Sequence, residues 1–161
     1  MVSFTSLFVL LAAGSALAAP SSNVLVARQQ GRTPSNWKWS VTNYNGGCVR
    51  QCSYDFNLTI PATSDIPGVK AYCTGMENGS QFTPCRLLEG GDDNVGVAAK
   101  YLERDPQHPE VGPKQIAVNY LVGYQDGARY SYTAYADAVY NAFAAPPANF
   151  EMTPTETTAV A

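Results

Sequence analysis

His108, the single histidine, and the carboxylates Glu89, Asp92, Asp93, Glu103, Asp105 and Glu110 are the residues best equipped for acid–base chemistry in this 161-residue chain. A serine or cysteine nucleophile usually needs a histidine base. His108 lies in PQHPEVGP, a proline-bounded loop in which solvation is the simpler role. A pair of carboxylates would suit a small glycoside hydrolase. GGDDN, however, reads more simply as a turn between strands, and as a calcium loop it lacks the full ligand pattern. No glycine loop shaped to cradle phosphate is present. The net charge is −3 and the basic residues are scattered, which argues against nucleic acid and anionic membranes as partners. The chain reads as non-enzymatic, with no catalytic residue, metal site or cofactor.

Cysteine offers the other reactive chemistry. Cys48, Cys52, Cys73 and Cys85 lack the Cys-x2-Cys spacing of zinc and redox motifs, and His108 is remote from them. An even count in an oxidising compartment implies two disulfides. Asn78-Gly79 is a hairpin turn signal between AYCTG and FTPCRLL. An odd-length loop there sets Cys73 opposite Cys85, which leaves Cys48 for Cys52; the crossed pairings stay open.

The compartment follows from the start of the chain. Residues 1–18 hold an apolar run from Leu7 to about Ala13 and an Ala16-Leu17-Ala18 cleavage site, the pattern of a secretory signal peptide, although its first residues carry no Lys or Arg. The run is shorter than the roughly 20 residues that span a bilayer, and MTPTETTAVA lacks the apolar tail of a GPI signal. Secretion to the extracellular space is the expectation. Residues 19–36 form either a flexible leader or a short pro-segment ending at Arg28.

The domain proper, residues 37–143, is written in period two. Tyr54, Phe56, Leu58 and Ile60 share one face of a strand, with Ser53, Asp55, Asn57 and Thr59 on the other. Trp37, Trp39 and Val41 alternate likewise, as do Val95, Val97, Ala99 and Tyr101. So do Ile116, Val118, Tyr120, Val122 and Tyr124, and after them Tyr130, Tyr132, Ala134, Ala136 and Ala138. An odd loop of three or five residues centred on Gly127 would pair Val122 with Tyr132 and keep both apolar sets inward. About six or seven short strands without helical periodicity predict an all-β fold, a single small antiparallel barrel or sandwich stapled by disulfides. ERDPQHPEVGPK is a long surface loop. The Thr-, Pro- and Ala-rich tail, residues 144–161, reads as disordered.

Surface features are few. Asn57 and Asn78 begin N-glycosylation sequons, one on a polar strand face and one at a turn. Trp37 and Trp39 can stack on sugars, but tryptophans on alternate strand positions more often belong to a core. Tyr44 and Tyr135 are expected to face outward and are the candidate binding residues.

The runs WSVTNY (Trp39–Tyr44), Gly46-Gly47-Cys48-x3-Cys52-x-Tyr54-x-Phe56-x-Leu58, Cys73-Thr74-Gly75 and Pro84-Cys85 resemble those of small secreted fungal proteins of the Alt a 1-like (AA1-like) group, which includes allergens and hypersensitive-response elicitors. The resemblance spans roughly residues 37 to 140 and is strongest from Tyr44 to Ile60. It implies a compact β-barrel, extracellular release and action through contacts with a host or the cell wall. No cysteine follows Cys85, a departure from Alt a 1 itself, whose late cysteine pair, second-half disulfide and disulfide-linked dimer are not carried over to this chain. The expected function is binding of a host protein or a cell-wall polysaccharide. Carbohydrate binding through exposed aromatics is the alternative, and a carboxylate-dependent glycoside hydrolase a third.

Overall fold

A computed structural model describes residues 33–79, 81–123, 127–142 and 144–160. The expected signal peptide, Arg28 and most of the leader lie outside the described residues, as do Ser80 of the second sequon and Tyr124. Ten strands follow in order: β1 (Trp39–Cys48), β2 (Cys52–Ile60), β3 (Val69–Met76), β4 (Thr83–Pro84), β5 (Arg86–Glu89), β6 (Val95–Tyr101), β7 (Gln115–Gly123), β8 (Arg129–Asp137), β9 (Ala148–Met152) and β10 (Pro154–Val160). The described residues contain no helix.

The strands build two five-stranded antiparallel sheets, in the orders β5-β3-β2-β1-β9 and β10-β8-β7-β6-β4. The all-β expectation holds. The count of six or seven strands and the single closed barrel do not. Two segments explain the surplus: FTPCRLL, read as one strand, gives β4 and β5, and the tail, read as carrying none, adds β9 and β10, each segment changing sheet part-way. The chain leaves the second sheet at Cys85, between β4 and β5, and leaves the first at Thr153, between β9 and β10. One extended run in the sequence thus becomes two strands.

The tail expected to be disordered supplies β9 and β10. Met152 is buried, Phe150 packs its ring against Tyr44 at 5.4 Å, and Pro154 is buried at the start of β10. Ala148, Phe150 and Met152 keep period two beneath a Thr- and Pro-rich composition, and an edge strand needs to bury only one face. The domain therefore runs on through residue 160.

The alternating residues fill the space between the sheets. Trp37, Trp39, Tyr120 and Tyr132 form a cluster of mostly edge-to-face rings 5.1 to 6.5 Å apart, the favoured aromatic geometry. Both tryptophans are core residues and not sugar platforms. Tyr54, Phe56, Leu58, Ile60, Ile116, Val118 and Tyr132 are buried as well. In the β7–β8 hairpin Val122 pairs with Tyr130 and Tyr120 with Tyr132, two residues from the expected register. A shift of two preserves every face, so alternation could not distinguish the two registers.

Both disulfides form as expected: Cys48–Cys52 and Cys73–Cys85. Tyr72 pairs with Arg86, which brings Cys73 alongside Cys85. The Cys85 N–H donates to the Val97 carbonyl at 2.8 Å, so this disulfide fastens β3 to the crossing between sheets. Chain-entropy arithmetic gives about 3 kcal/mol for its loop and about 2 kcal/mol for the shorter one.

Candidate functional site

β1 returns as β2 through Val49, Arg50 and Gln51, with Cys48 paired to Cys52 across the turn. Three further segments close around this hairpin. The first is the end of β3. The Glu77 N–H donates to the Cys52 carbonyl at 2.7 Å, the Cys52 N–H reaches Glu77 Oε2 at 3.5 Å, and the Gln51 amide donates to the Glu77 carbonyl.

The second segment is the proline-rich loop after β6, and Arg104 ties it down. Its Nε donates to Glu77 Oε1 at 2.5 Å and its Nη2 to Oε2 at 2.6 Å, a fork-to-fork pair. Nη1 donates to the Pro109 carbonyl at 2.7 Å, and Nη2 also lies 3.4 Å from Cys52 Sγ. Hydrogen bonding from Arg104 holds the Glu77 carboxyl below its ordinary range, against the opposing effect of burial.

The third segment follows β8. Asn141, only 4% exposed, accepts the Gly46 N–H at Oδ1 (2.9 Å) and donates from Nδ2 to the carbonyls of Tyr44 (2.9 Å) and Pro146 (3.0 Å). Gly46 cannot carry a side chain here, because a Cβ would sit 2.2 Å from the Val139 carbonyl oxygen. Tyr140 donates its hydroxyl to the Pro113 carbonyl at 2.6 Å, and burial leads in pushing its phenol up to about 12.

These polar ties leave apolar side chains outside. Val49 is 83% exposed and Met76 56%, and Val111, Val139 and Tyr140 project as well. Of the large exposed apolar residues among those described, only Phe82 and Leu88 lie elsewhere. One end of the sandwich thus presents valine, methionine and tyrosine around a disulfide.

Tyr44 is not a surface residue. It is 0% exposed, with its hydroxyl 3.1 Å from that of Tyr101 and its ring against Phe56 and Phe150. A β-bulge is the cause. Thr42 faces Asn57 and Asn45 faces Asp55, so β1 carries one extra residue. Asn43 takes a left-handed φ of 55° there, its N–H donating to Asn149 Oδ1 at 2.9 Å. The extra residue turns Tyr44 inward. Tyr135 is half-buried on the outer face of the second sheet, where burial, followed by Glu156, raises its phenol. The two tyrosines do not come together.

Asn57 is half-buried between Thr42 and Tyr72, and Asn78 is exposed after β3. His108 Nδ1 lies 3.4 Å from Glu110 Oε1, Asp105 pairs with Lys114, and Glu89 pairs with Lys70. Asp92 accepts the Asn94 N–H at 2.8 Å in the GGDDN turn. Among the described residues, no three His, Cys, Asp or Glu side chains gather as metal ligands, and no helix is long and apolar enough to cross a membrane. At the far end of the first sheet an open cleft of about 250 Å³ lies between Thr59, Lys70 and Glu89.

Compared with known proteins, the chain matches no family model, no curated protein and no solved structure.

The residues of the hairpin end were missed in the sequence because Val49 and Val111 stand alone among polar and proline residues. Their one signal was negative: neither belongs to an alternating run.

Proposed function

We propose that this chain is a secreted recognition protein, similar in role to fungal effectors and elicitors, that binds a host or cell-wall protein through the hairpin end without turning it over. The two disulfides fit an oxidising, extracellular compartment. The observation that carries the reading is the exposure of Val49, Met76, Val111, Val139 and Tyr140 on segments knitted together by Arg104, Glu77 and Asn141. Rigidly held apolar side chains lose little entropy on docking, and exposed apolar groups gathered at one place mark interaction sites. The resemblance to the Alt a 1-like group belongs to this reading. Carbohydrate binding loses one of its two tyrosines to the core.

Infiltration of the purified protein into leaf tissue of several hosts, beside a heat-denatured control, tests the proposal. A response to the folded protein alone supports it, and silence in all hosts counts against it. Retention on chitin or a glycan array, abolished by Tyr135→Ala, would favour the polysaccharide alternative.

A further inference from the structure

Each disulfide joins one fully buried cysteine to one nearer the surface, and the two differ in that second residue: Cys85 is half-buried, whereas Cys48 is exposed. Cys73 is fully buried and Cys85 packs against the core at the crossing between sheets. Cys48 is exposed at the tip of the hairpin, whereas Cys52 is fully buried with the Arg104 guanidinium 3.4 Å from its sulfur. Thiol–disulfide exchange needs an attacking thiolate with access to one sulfur and a partner sulfur that leaves easily as an anion. A neighbouring cation lowers a thiol's pKa and so improves the leaving group; the Glu77 carboxylate paired with the same guanidinium reduces that effect, and the Nη2 group directed at Cys52 Sγ supplies what remains.

We infer that Cys48–Cys52 is a thiol-exchange site at which a small thiol or dithiol attacks Cys48 and displaces Cys52 as a thiolate held by Arg104. The attacking thiolate forms a new S–S bond to Cys48 Sγ. The Cys48–Cys52 bond breaks, and its electron pair leaves with Cys52 Sγ. With glutathione the product is a mixed disulfide on Cys48. With a dithiol, the second thiolate of the reagent attacks its own sulfur in that adduct and releases Cys48. The reagent then departs as a cyclic disulfide, having given two electrons to the protein. The chain is left with two thiols and a hairpin tip, Val49 to Gln51, no longer closed by sulfur. This chemistry requires no partner protein and stands apart from the recognition proposal.

The test uses the full chain harvested in its oxidised form. Folded protein is exposed to limiting dithiothreitol or to reduced glutathione, quenched in acid, alkylated and mapped by peptide mass spectrometry. Cys48 and Cys52 should be alkylated while Cys73–Cys85 remains closed, and the glutathione adduct should sit on Cys48. Arg104→Gln should slow opening about three-fold, and Arg104→Lys, which keeps the charge without the fork to Glu77, should slow it less. Opening of Cys73–Cys85 first or simultaneously, or an adduct on Cys52, would overturn the inference. So would an Arg104→Gln protein that opens as fast as the unaltered chain. Adduct position in the unaltered chain decides the matter even if the Arg104 variants fold poorly.

Discussion

Arg104 meets Glu77 edge to edge, Nε to Oε1 at 2.5 Å and Nη2 to Oε2 at 2.6 Å, and so joins the proline-rich loop to the end of β3 beside the hairpin disulfide. Both side chains are about three-quarters or more removed from solvent. The fork geometry places the pair at the upper end of what ion pairs near the surface contribute.

That contribution depends on pH in a defined direction. Arg104 depresses the folded carboxyl of Glu77, so the stabilisation is fully present above the unfolded carboxylate value of about 4.3. It is lost as pH falls through the lower folded value. In urea the unaltered chain should be more stable than Glu77→Gln at pH 7, by up to about 1 kcal/mol, and the two should converge in acid. A gap that persists to pH 2 would show that Glu77 acts by packing and not by charge.

Asn141 fastens the segment after β8 to the bulged part of β1. Asn141→Ala leaves the Gly46 N–H and the Tyr44 carbonyl without their partner, at a cost of about 2–3 kcal/mol. Chemical denaturation should register this loss. Hydrogen exchange should show faster exchange at Gly46 with little change at Val118.

Asn43 offers a sharper check on the bulge. Its left-handed φ is tolerated by Asn and Gly but strained for a β-branched residue. Asn43→Gly should be close to neutral, whereas Asn43→Val should destabilise by about 1–3 kcal/mol in thermal melts. Equal stability of the two variants would mean that β1 carries no bulge.

Tyr44→Ala separates core from surface. With its ring between Phe56 and Phe150, the truncation should cost about 3–5 kcal/mol and flatten the near-ultraviolet circular dichroism. Tyr135→Ala, at a half-buried position on the outer face, should cost under about 1 kcal/mol. If Tyr44→Ala folds with unaltered stability, the inward placement is wrong.

Alternation made the inner faces of β2, β6, β7 and β8 legible, since Phe56, Ala99, Val118 and Tyr132 each lie where period two puts them. The Cys73–Cys85 pairing was readable too, because Asn78-Gly79 marks the return of the chain. Three features were not. The bulge at Asn43 reverses parity with one residue, and a single Asn within an otherwise extended run does not say where a left-handed φ falls. The β7–β8 register differs from its neighbour by two residues and keeps the same faces. β9 and β10 bury Met152 and Pro154 fully and Ala148, Phe150 and Ala159 in part, in a Thr-rich background. The hairpin end was harder still, since its members come from segments joined by Arg104 and Asn141 and not by proximity in sequence.

If recognition resides at the disulfide-closed end, paired substitutions at the two ends of the sandwich will separate it from the rest of the surface. Val49→Asp combined with Val139→Asp alters the hairpin end, and Lys70→Ala alters the open cleft at the other; each protein is first shown by thermal melting to fold. In one leaf-infiltration dose series, the hairpin-end variant should need at least about ten-fold more protein for the response, while Lys70→Ala should match the unaltered chain. Equal potency of the hairpin-end variant and the unaltered chain would place recognition elsewhere on the molecule.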